Sequence, residues 1–187
     1  LTSQWTGRIF YATSTDGIQW QRVSNEPVLN VSQNSWDSRS VGNGPVIKIN
    51  GAYRIYYGGR TSDSGHNHIG MAVSQDGLTW EKFPTPIIYA EPGWEFQIGA
   101  SDIIKINGIY HLYYYGYSNN SYKIGLATSI DGVVWNKYQG NPILSPTKLW
   151  EGSGIYHPTV YLEDGLYKMI YMTSSTTTSG LGMAYSA

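Results

Sequence analysis

Cysteine is absent from the 187 residues, which removes disulfide scaffolds, thiolate metal sites and cysteine nucleophiles together and leaves the redox compartment open. Charge is scarce. Asp, Glu, Lys and Arg make up 13% of the chain, and 12 basic against 13 acidic residues leave a net charge of -1. That balance provides no electrostatic footprint for a phosphate backbone or an anionic membrane, so neither nucleic acid nor membrane is expected as a partner. No apolar run approaches the ~18 residues of a spanning helix. The residues after Leu1 lack a basic segment followed by an apolar core, so the chain reads as soluble and as a mature or trimmed product, with secretion left open. A sustained 3.6-residue period is also missing, which argues against helical repeats and coiled coils.

What the chain has instead is aromatic residues and glycine: 17 Tyr, 7 Trp and 22 Gly. They recur in order. Ile9-Phe-Tyr-Ala-Thr-Ser-Thr-Asp16-Gly-Ile-Gln-Trp20, Ile69-Gly-Met-Ala-Val-Ser-Gln-Asp76-Gly-Leu-Thr-Trp80 and Ile124-Gly-Leu-Ala-Thr-Ser-Ile-Asp131-Gly-Val-Val-Trp135 are one motif at spacings of 60 and 55 residues. A second block repeats with them. Trp36-Asp37, Trp94-Glu95 and Trp150-Glu151 each precede an apolar strand that ends in Asn50-Gly51, Asn107-Gly108 or Asp164-Gly165, the turn glycines lying 57 residues apart.

Asn-Gly and Asp-Gly suit two-residue type I′ turns, so six such dipeptides predict six tight hairpins. Each repeat then holds four short strands, at about 98–106, 109–116, 122–129 and 133–138 in the best-defined copy, with an earlier pair at about 8–14 and 18–23. The expected fold is all-β: a β-propeller of four-stranded antiparallel blades, about three and a third repeats of about 57 residues. Residues 1–187 form one domain, with repeats at 9–68, 69–123 and 124–180 and a further one opening at 181–187. Propellers close with roughly 4–8 blades, so the chain is expected either to be part of a larger propeller or to complete its ring as a homo-oligomer.

The Ile-Gly-x-Ala-x-Ser-x-Asp-Gly-x-x-Trp hairpin, the Asn-Glu-Pro27-Val-Leu and Asn141-Pro142-Ile-Leu segments, the Trp-acid pairs and the Gly-x-Tyr-x-x-Tyr-Tyr strand resemble the five-bladed propeller glycosidases. That superfamily includes arabinanases, β-xylosidases, invertases and levansucrases, and the resemblance covers the whole chain. It implies a site at the propeller axis, where three carboxylates from separate blades act as base or nucleophile, as acid and as orienting group. The superfamily's Arg-Asp-Pro signature has no match here. The Ser-x-Asp-Gly-x-x-Trp hairpins are also similar to the Asp-box of sialidase propellers, shortened by one residue. Asp16, Asp76 and Asp131 are read as turn-capping residues in that setting.

Candidate site residues follow from where the copies differ. The strand starts nearest the axis read Asn43-Gly44-Pro45, Ala100-Ser101-Asp102 and Tyr156-His157-Pro158, so Asp102 stands where the other two copies carry proline and is expected to be an unpaired catalytic carboxylate. Glu151 is the second catalytic candidate, because Glu151-Gly152 resembles the superfamily's acid Glu-Gly pair. Asp37 and Glu95 share its position after Trp, and all three acids are equally readable as repeated loop anchors. Asn43, Arg39, Gln97, Ser153 and His157, together with Asp37 and Glu95, are expected to contact sugar. His66-x-His68 lacks a third ligand nearby and is read as a loop, so no metal site is assigned. No cofactor is expected, although the resemblance allows a structural cation near His157, as a central His holds in some arabinanase relatives. The expected partner is a carbohydrate.

The expected function is glycoside hydrolysis or a related transfer, acting on furanosides or similar oligosaccharides through carboxylate acid and base chemistry. Two alternatives remain open: a noncatalytic, lectin-like sugar-binding propeller, and a self-assembling scaffold without activity.

Overall fold

The computed structural model describes residues 6–174 and 180–186. Leu1 and Ala187, the ends of the expected domain, lie outside the described residues. Within them the fold is all-β, apart from a single 3-10 turn at Leu149–Glu151.

Three sheets follow one another along the chain. The first is a short hairpin of β1 (Ala12–Thr13) and β2 (Gln21–Arg22). The second pairs β3 (Ser40–Gly42) and β4 (Val46–Ile49) with β5 (Ala52–Arg60), continuing antiparallel through β6 (His68–Ser74) to β7 (Glu81–Lys82). The third contains two antiparallel meanders. β8 (Gln97–Ile106), β9 (Ile109–Ser118), β10 (Ser121–Ser129) and β11 (Asn136–Lys137) form one; β12 (Gly154–Glu163), β13 (Leu166–Ser174) and β14 (Leu181–Tyr185) form the other. A lone parallel bridge between Tyr122 and Gly154 joins them.

The strands of the expected repeat are therefore present, with one shortening. β1 and β2 each keep two residues, because Ile18 and Trp20 are 82% and 64% exposed and give the pairing little packing to lean on.

The turns divide into two kinds. Asn50-Gly51, Asn107-Gly108 and Asp164-Gly165 have positive φ at both positions, as type I′ requires. The three Asp-Gly pairs of the Ser-x-Asp-Gly motif differ from the tight hairpins expected. Only Gly17, Gly77 and Gly132 have positive φ, and the loop from β6 to β7 runs over six residues, 75–80. The side chains explain this. Asp76 Oδ1 accepts the Leu78 and Thr79 N–H groups at 2.8 Å each and the Ser74 hydroxyl at 2.9 Å, while Trp80 Nε1 donates to Gly77 O. Asp16 and Asp131 make the same set of bonds. A carboxylate that satisfies two backbone donors holds a wide loop without a second left-handed residue.

The apolar core lies at the seams between units. Tyr56, Ile69, Met71, Ile98, Leu112 and Tyr114 are fully buried where the second sheet meets the third. Ile124, Ile155 and Tyr171 fill the next seam. Each such side chain contributes about 1.5–3 kcal/mol on burial. Polar latches reinforce the first seam: Tyr56 Oη donates to Gly132 O at 2.8 Å, Arg54 Nη1 donates to Asp131 O, and the Trp135 ring meets Tyr56 edge-on at 5.4 Å.

Candidate functional site

The innermost strands of the three larger units all break register at the same point. In β8 the pairing shifts between Ala100 and Asp102, bulging Ser101; in β12 it shifts between Tyr156 and Thr159, bulging His157 and Pro158. Asp102 pairs with Tyr113 and Thr159 with Ile170, while the Tyr56 N–H donates to Pro45 O. The structural counterparts of Asp102 are thus Pro45 and Thr159. Pro158, aligned with Asp102 by sequence, is a bulged residue, because β12 inserts one more residue than β8. Bulges re-aim side chains, and here they turn the strand starts toward a common cleft.

That cleft encloses about 290 Å³ and draws on all three units: Ser40, Asn43, Gly58, Arg60 and Asn67 from the first, Gln97, Tyr115, Tyr117 and Tyr122 from the second, Tyr156 and His157 from the third. Its lining includes no carboxylate among the described residues. Arg60 is the lone full cation and reaches Asp63 at 3.4 Å, while Asp63 is held more closely by Arg39 through bonds of 3.2 and 2.8 Å. The Arg39 guanidinium keeps the Asp63 carboxyl below its ordinary range. A crosspiece ties the loop 61–67 to the start of β8: Gln97 Nε2 donates to Gly65 O, Ile98 N–H to Asn67 O and the Asn67 amide to Ile98 O.

His157 holds a φ of 49°, a left-handed conformation that is uncommon away from glycine and costs of order 1 kcal/mol. Its ring meets Tyr115 at 4.9 Å, and partial desolvation lowers its pKa below the usual 6.5, so the imidazole is neutral at pH 7. A neutral ring offers one donor and one acceptor.

Of the residues expected from sequence, Asn43, Gln97 and His157 line this cleft. The others do not, and each has partners. Asp102 was expected to be unpaired. Its Oδ1 accepts the Ile103 N–H at 2.8 Å and its Oδ2 the Val160 N–H at 2.6 Å, stapling β8 to β12. Ser153 Oγ donates to Ser174 O at 3.0 Å, and Arg39 is committed to Asp63.

Asp37, Glu95 and Glu151 form one recurring device. They are 1%, 5% and 3% exposed, and each accepts a tyrosine hydroxyl from the middle strand of its unit: Tyr57 at 3.1 Å, Tyr114 at 2.8 Å and Tyr171 at 2.8 Å. Lys82 completes the first as an ion pair and Lys137 the second, while Glu151 takes the Thr147 and Lys148 N–H groups instead. Burial pushes the Glu151 pKa up, but those two backbone bonds and the Tyr171 hydroxyl outweigh it and hold the carboxyl below its ordinary value. The anchor alternative for these acids matches this geometry, with the loop-opening Trp36 and Trp94 stacked near the same tyrosines at 5.5 and 5.9 Å.

His66 and His68 stack 5.8 Å apart, with His66 Nδ1 donating to Phe96 O and His68 Nδ1 accepting the Ala90 N–H. Among the described residues no group of three or more potential ligands is placed to hold a metal ion.

Sequence reasoning missed Arg60, Asn67, Tyr115, Tyr117, Tyr122 and Tyr156. The signal was available in the repeat. Gly58 and Arg60 stand 57 residues before Tyr115 and Tyr117, and Met172 and Ser174 stand 57 after them, so these positions change character in every copy while the anchors do not.

Comparison with known proteins fits this geometry. The structure superposes on a thermostable family-43 glycoside hydrolase with a TM-score of 0.75 at 23% identity, covering 95% of this chain and 62% of that one. A family model described as beta-1,4-mannooligosaccharide phosphorylase matches residues 60–141. The chain belongs to the five-bladed β-propeller glycosidase superfamily. Within that superfamily of carbohydrate-active enzymes, it is 32% identical over 134 residues to a 1,2-beta-oligomannan phosphorylase of Thermoanaerobacter sp. (strain X514), covering 64% of this chain and 44% of that protein. A beta-1,2-mannobiose phosphorylase of the same organism is 26% identical over 137 residues, 63% of this chain and 45% of its own length. The chain spans less than half the length of these two relatives.

Proposed function

We propose that the protein is a phosphorylase of β-linked mannooligosaccharides, in place of the furanoside hydrolase expected from sequence. The observation that carries this reading is the makeup of the cleft: Arg60 with amide, imidazole and tyrosine neighbours and no lining carboxylate among the described residues. Hydrolytic glycosidases flank the scissile bond with two carboxylates, one of which activates water or attacks the sugar. Inorganic phosphate is already a nucleophile, so that second carboxylate is dispensable. A guanidinium matches phosphate with paired N–H donors, and Arg60 supplies the required charge. The relatives' names supply the sugar.

In the reaction a phosphate oxygen bonds to the anomeric carbon. The bond to the leaving oxygen breaks, and that oxygen takes the proton that phosphate loses in the net change. The products are a sugar 1-phosphate and a shortened oligosaccharide. Our reading gives Asn43, Gln97 and His157 contacts with sugar hydroxyls or phosphate, and gives Asp102, Glu151, Asp37 and Glu95 structural roles. It treats the units as about three and a third blades of one propeller domain; a closed ring of roughly 4–8 blades needs further sheet, from the same polypeptide or a second copy.

The test is incubation with β-1,2- or β-1,4-mannobiose, with and without inorganic phosphate, and chromatography of the products. Mannose 1-phosphate formed only with phosphate is expected, with Arg60→Ala raising the KM for phosphate. Free mannose released at equal rates without phosphate would return the protein to the hydrolases. Sugar binding with no product at all would favour the lectin-like alternative.

A further inference from the structure

The two sides of the cleft are built from equivalent positions of consecutive units. Gly58 corresponds to Tyr115 and Arg60 to Tyr117 on the middle strands, and Asn67 corresponds to Tyr122 at the start of the next strand, two residues before the motif residues Ile69 and Ile124. One unit thus presents a polar half and the next an aromatic half, on the same backbone frame. A core requirement would act on both units alike, as it does at Tyr57 and Tyr114, so it does not account for the difference.

The aromatic half is assembled in a way packing alone does not demand. Tyr117 and Tyr122 lie 4.5 Å apart at 36°, and Tyr122 and Tyr156 lie 4.9 Å apart at 33°, so the rings form a shallow staircase across the seam between β10 and β12. Tyr117 is fixed by its hydroxyl, which donates to Asn120 at 2.9 Å. Tyr115 backs the row; a Cβ at Gly99 would sit 2.5 Å from its ring, so only glycine lets that ring lie so close. All four rings are half-buried or less, and all open on the cleft. Burial raises the phenol pKa values of Tyr115 and Tyr122, which keeps both rings uncharged across the physiological range.

We propose that Tyr117, Tyr122 and Tyr156 form a stacking platform for the sugar ring on the far side of the cleaved bond from phosphate, and that this platform makes the protein select oligosaccharides over monosaccharide glycosides. The inference rests on the mannooligosaccharide reading of the cleft and adds the orientation of the substrate. The reacting sugar and phosphate lie toward Arg60 and Asn67, and the chain continues over the tyrosines. Pyranose C–H faces pack on aromatic faces, while hydroxyls at the ring edge reach the phenol oxygens.

The experiment uses Tyr122→Ala and Tyr117→Leu, with Tyr122→Phe as the control that keeps the ring. Circular dichroism melts confirm folding. Two readouts are taken: calorimetric binding of β-1,2- and β-1,4-mannobiose without phosphate, and phosphate-dependent product formation. Tyr122→Ala and Tyr117→Leu are each expected to weaken disaccharide binding and raise its KM about three- to tenfold. Tyr122→Phe stays near wild type, and the KM for phosphate does not move. Weakened binding in a protein that forms no sugar 1-phosphate would keep the platform and defeat the phosphorylase reading. Wild-type phosphorolysis with unchanged KM in both variants would defeat the platform and keep the phosphorylase reading. A wild-type protein that binds neither disaccharide overturns both. Should Tyr122→Ala fail to fold, Tyr117→Leu decides alone, since its ring stands at the outer end of the row.

Discussion

Replacing Tyr114 with Phe tests whether the buried acids hold the fold together or carry chemistry. Tyr114 is fully buried, and its hydroxyl donates to Glu95 Oε2 at 2.8 Å while accepting from Asn141 Nδ2 at 3.0 Å. After Tyr114→Phe, Glu95 keeps its ion pair with Lys137, and the Asn141 amide keeps its bond to Leu126 O at 2.9 Å. What is lost is one hydrogen bond to a buried charge, worth about 1.5–3 kcal/mol. In a domain of this size each kcal/mol moves the melting temperature by ~2–4 °C, so the variant should melt roughly 3–12 °C lower. Tyr171→Phe should cost less, since Glu151 retains two backbone donors. Thermal unfolding followed by circular dichroism gives the ranking, and phosphorolysis per folded molecule should stay unchanged in both. An unshifted melt in Tyr114→Phe would refute the anchor reasoning. So would Glu95→Gln or Glu151→Gln if it abolished turnover while leaving the melt intact.

Three further outcomes are expected. Gly108→Val places a β-branched residue at a φ of 85°, so it should destabilise the fold by about 1 kcal/mol or more, and a chemical denaturation midpoint equal to wild type would reject the type I′ turn. Asp76 is held at about 2 by backbone bonds from Thr79 and Leu78 and by Ser74, against 3.8 unperturbed. A depressed folded pKa stabilises above the unfolded value and is lost as protons bind, so stability should fall between about pH 4 and pH 2; Asp76→Asn should flatten that fall, and parallel curves would count against it. Asp102→Asn turns one acceptor oxygen into a donor facing either the Ile103 or the Val160 N–H, which should cost about 1–3 kcal/mol. Its turnover per folded molecule should be retained, and a native melt with lost turnover would make Asp102 a catalytic residue after all.

The strand order and the type I′ turns were legible because local chemistry dictates them. Asn107-Gly108 needs no tertiary partner to prefer positive φ at both positions, and the flanking alternation fixes which faces are buried. Asp76-Gly77 looked equivalent and was not, since the carboxylate takes over donors that a tight hairpin would pair across the strands. The bulge in β12 was illegible for a different reason. An extra residue there is compensated within the strand, so the spacing of the turn glycines stays at 57 and nothing in the sequence marks the slip.

The site was harder, and the difficulty has a physical cause. Acidic residues attract attention as catalysts, yet a carboxylate repeated at one place in three units meets a demand common to all three, and loop anchoring by a buried tyrosine is such a demand. A ligand site between repeats imposes the opposite pattern. Its walls come from equivalent positions that see different parts of one asymmetric molecule, so those positions must diverge while the frame around them stays fixed. Gly58 and Arg60 facing Tyr115 and Tyr117 meet that criterion, with Tyr57 and Tyr114 unchanged beside them. In a repeat protein, divergence at a fixed register therefore points to the ligand more directly than residue chemistry alone. By that criterion the substrate lies between Arg60 and Tyr122, away from the carboxylates.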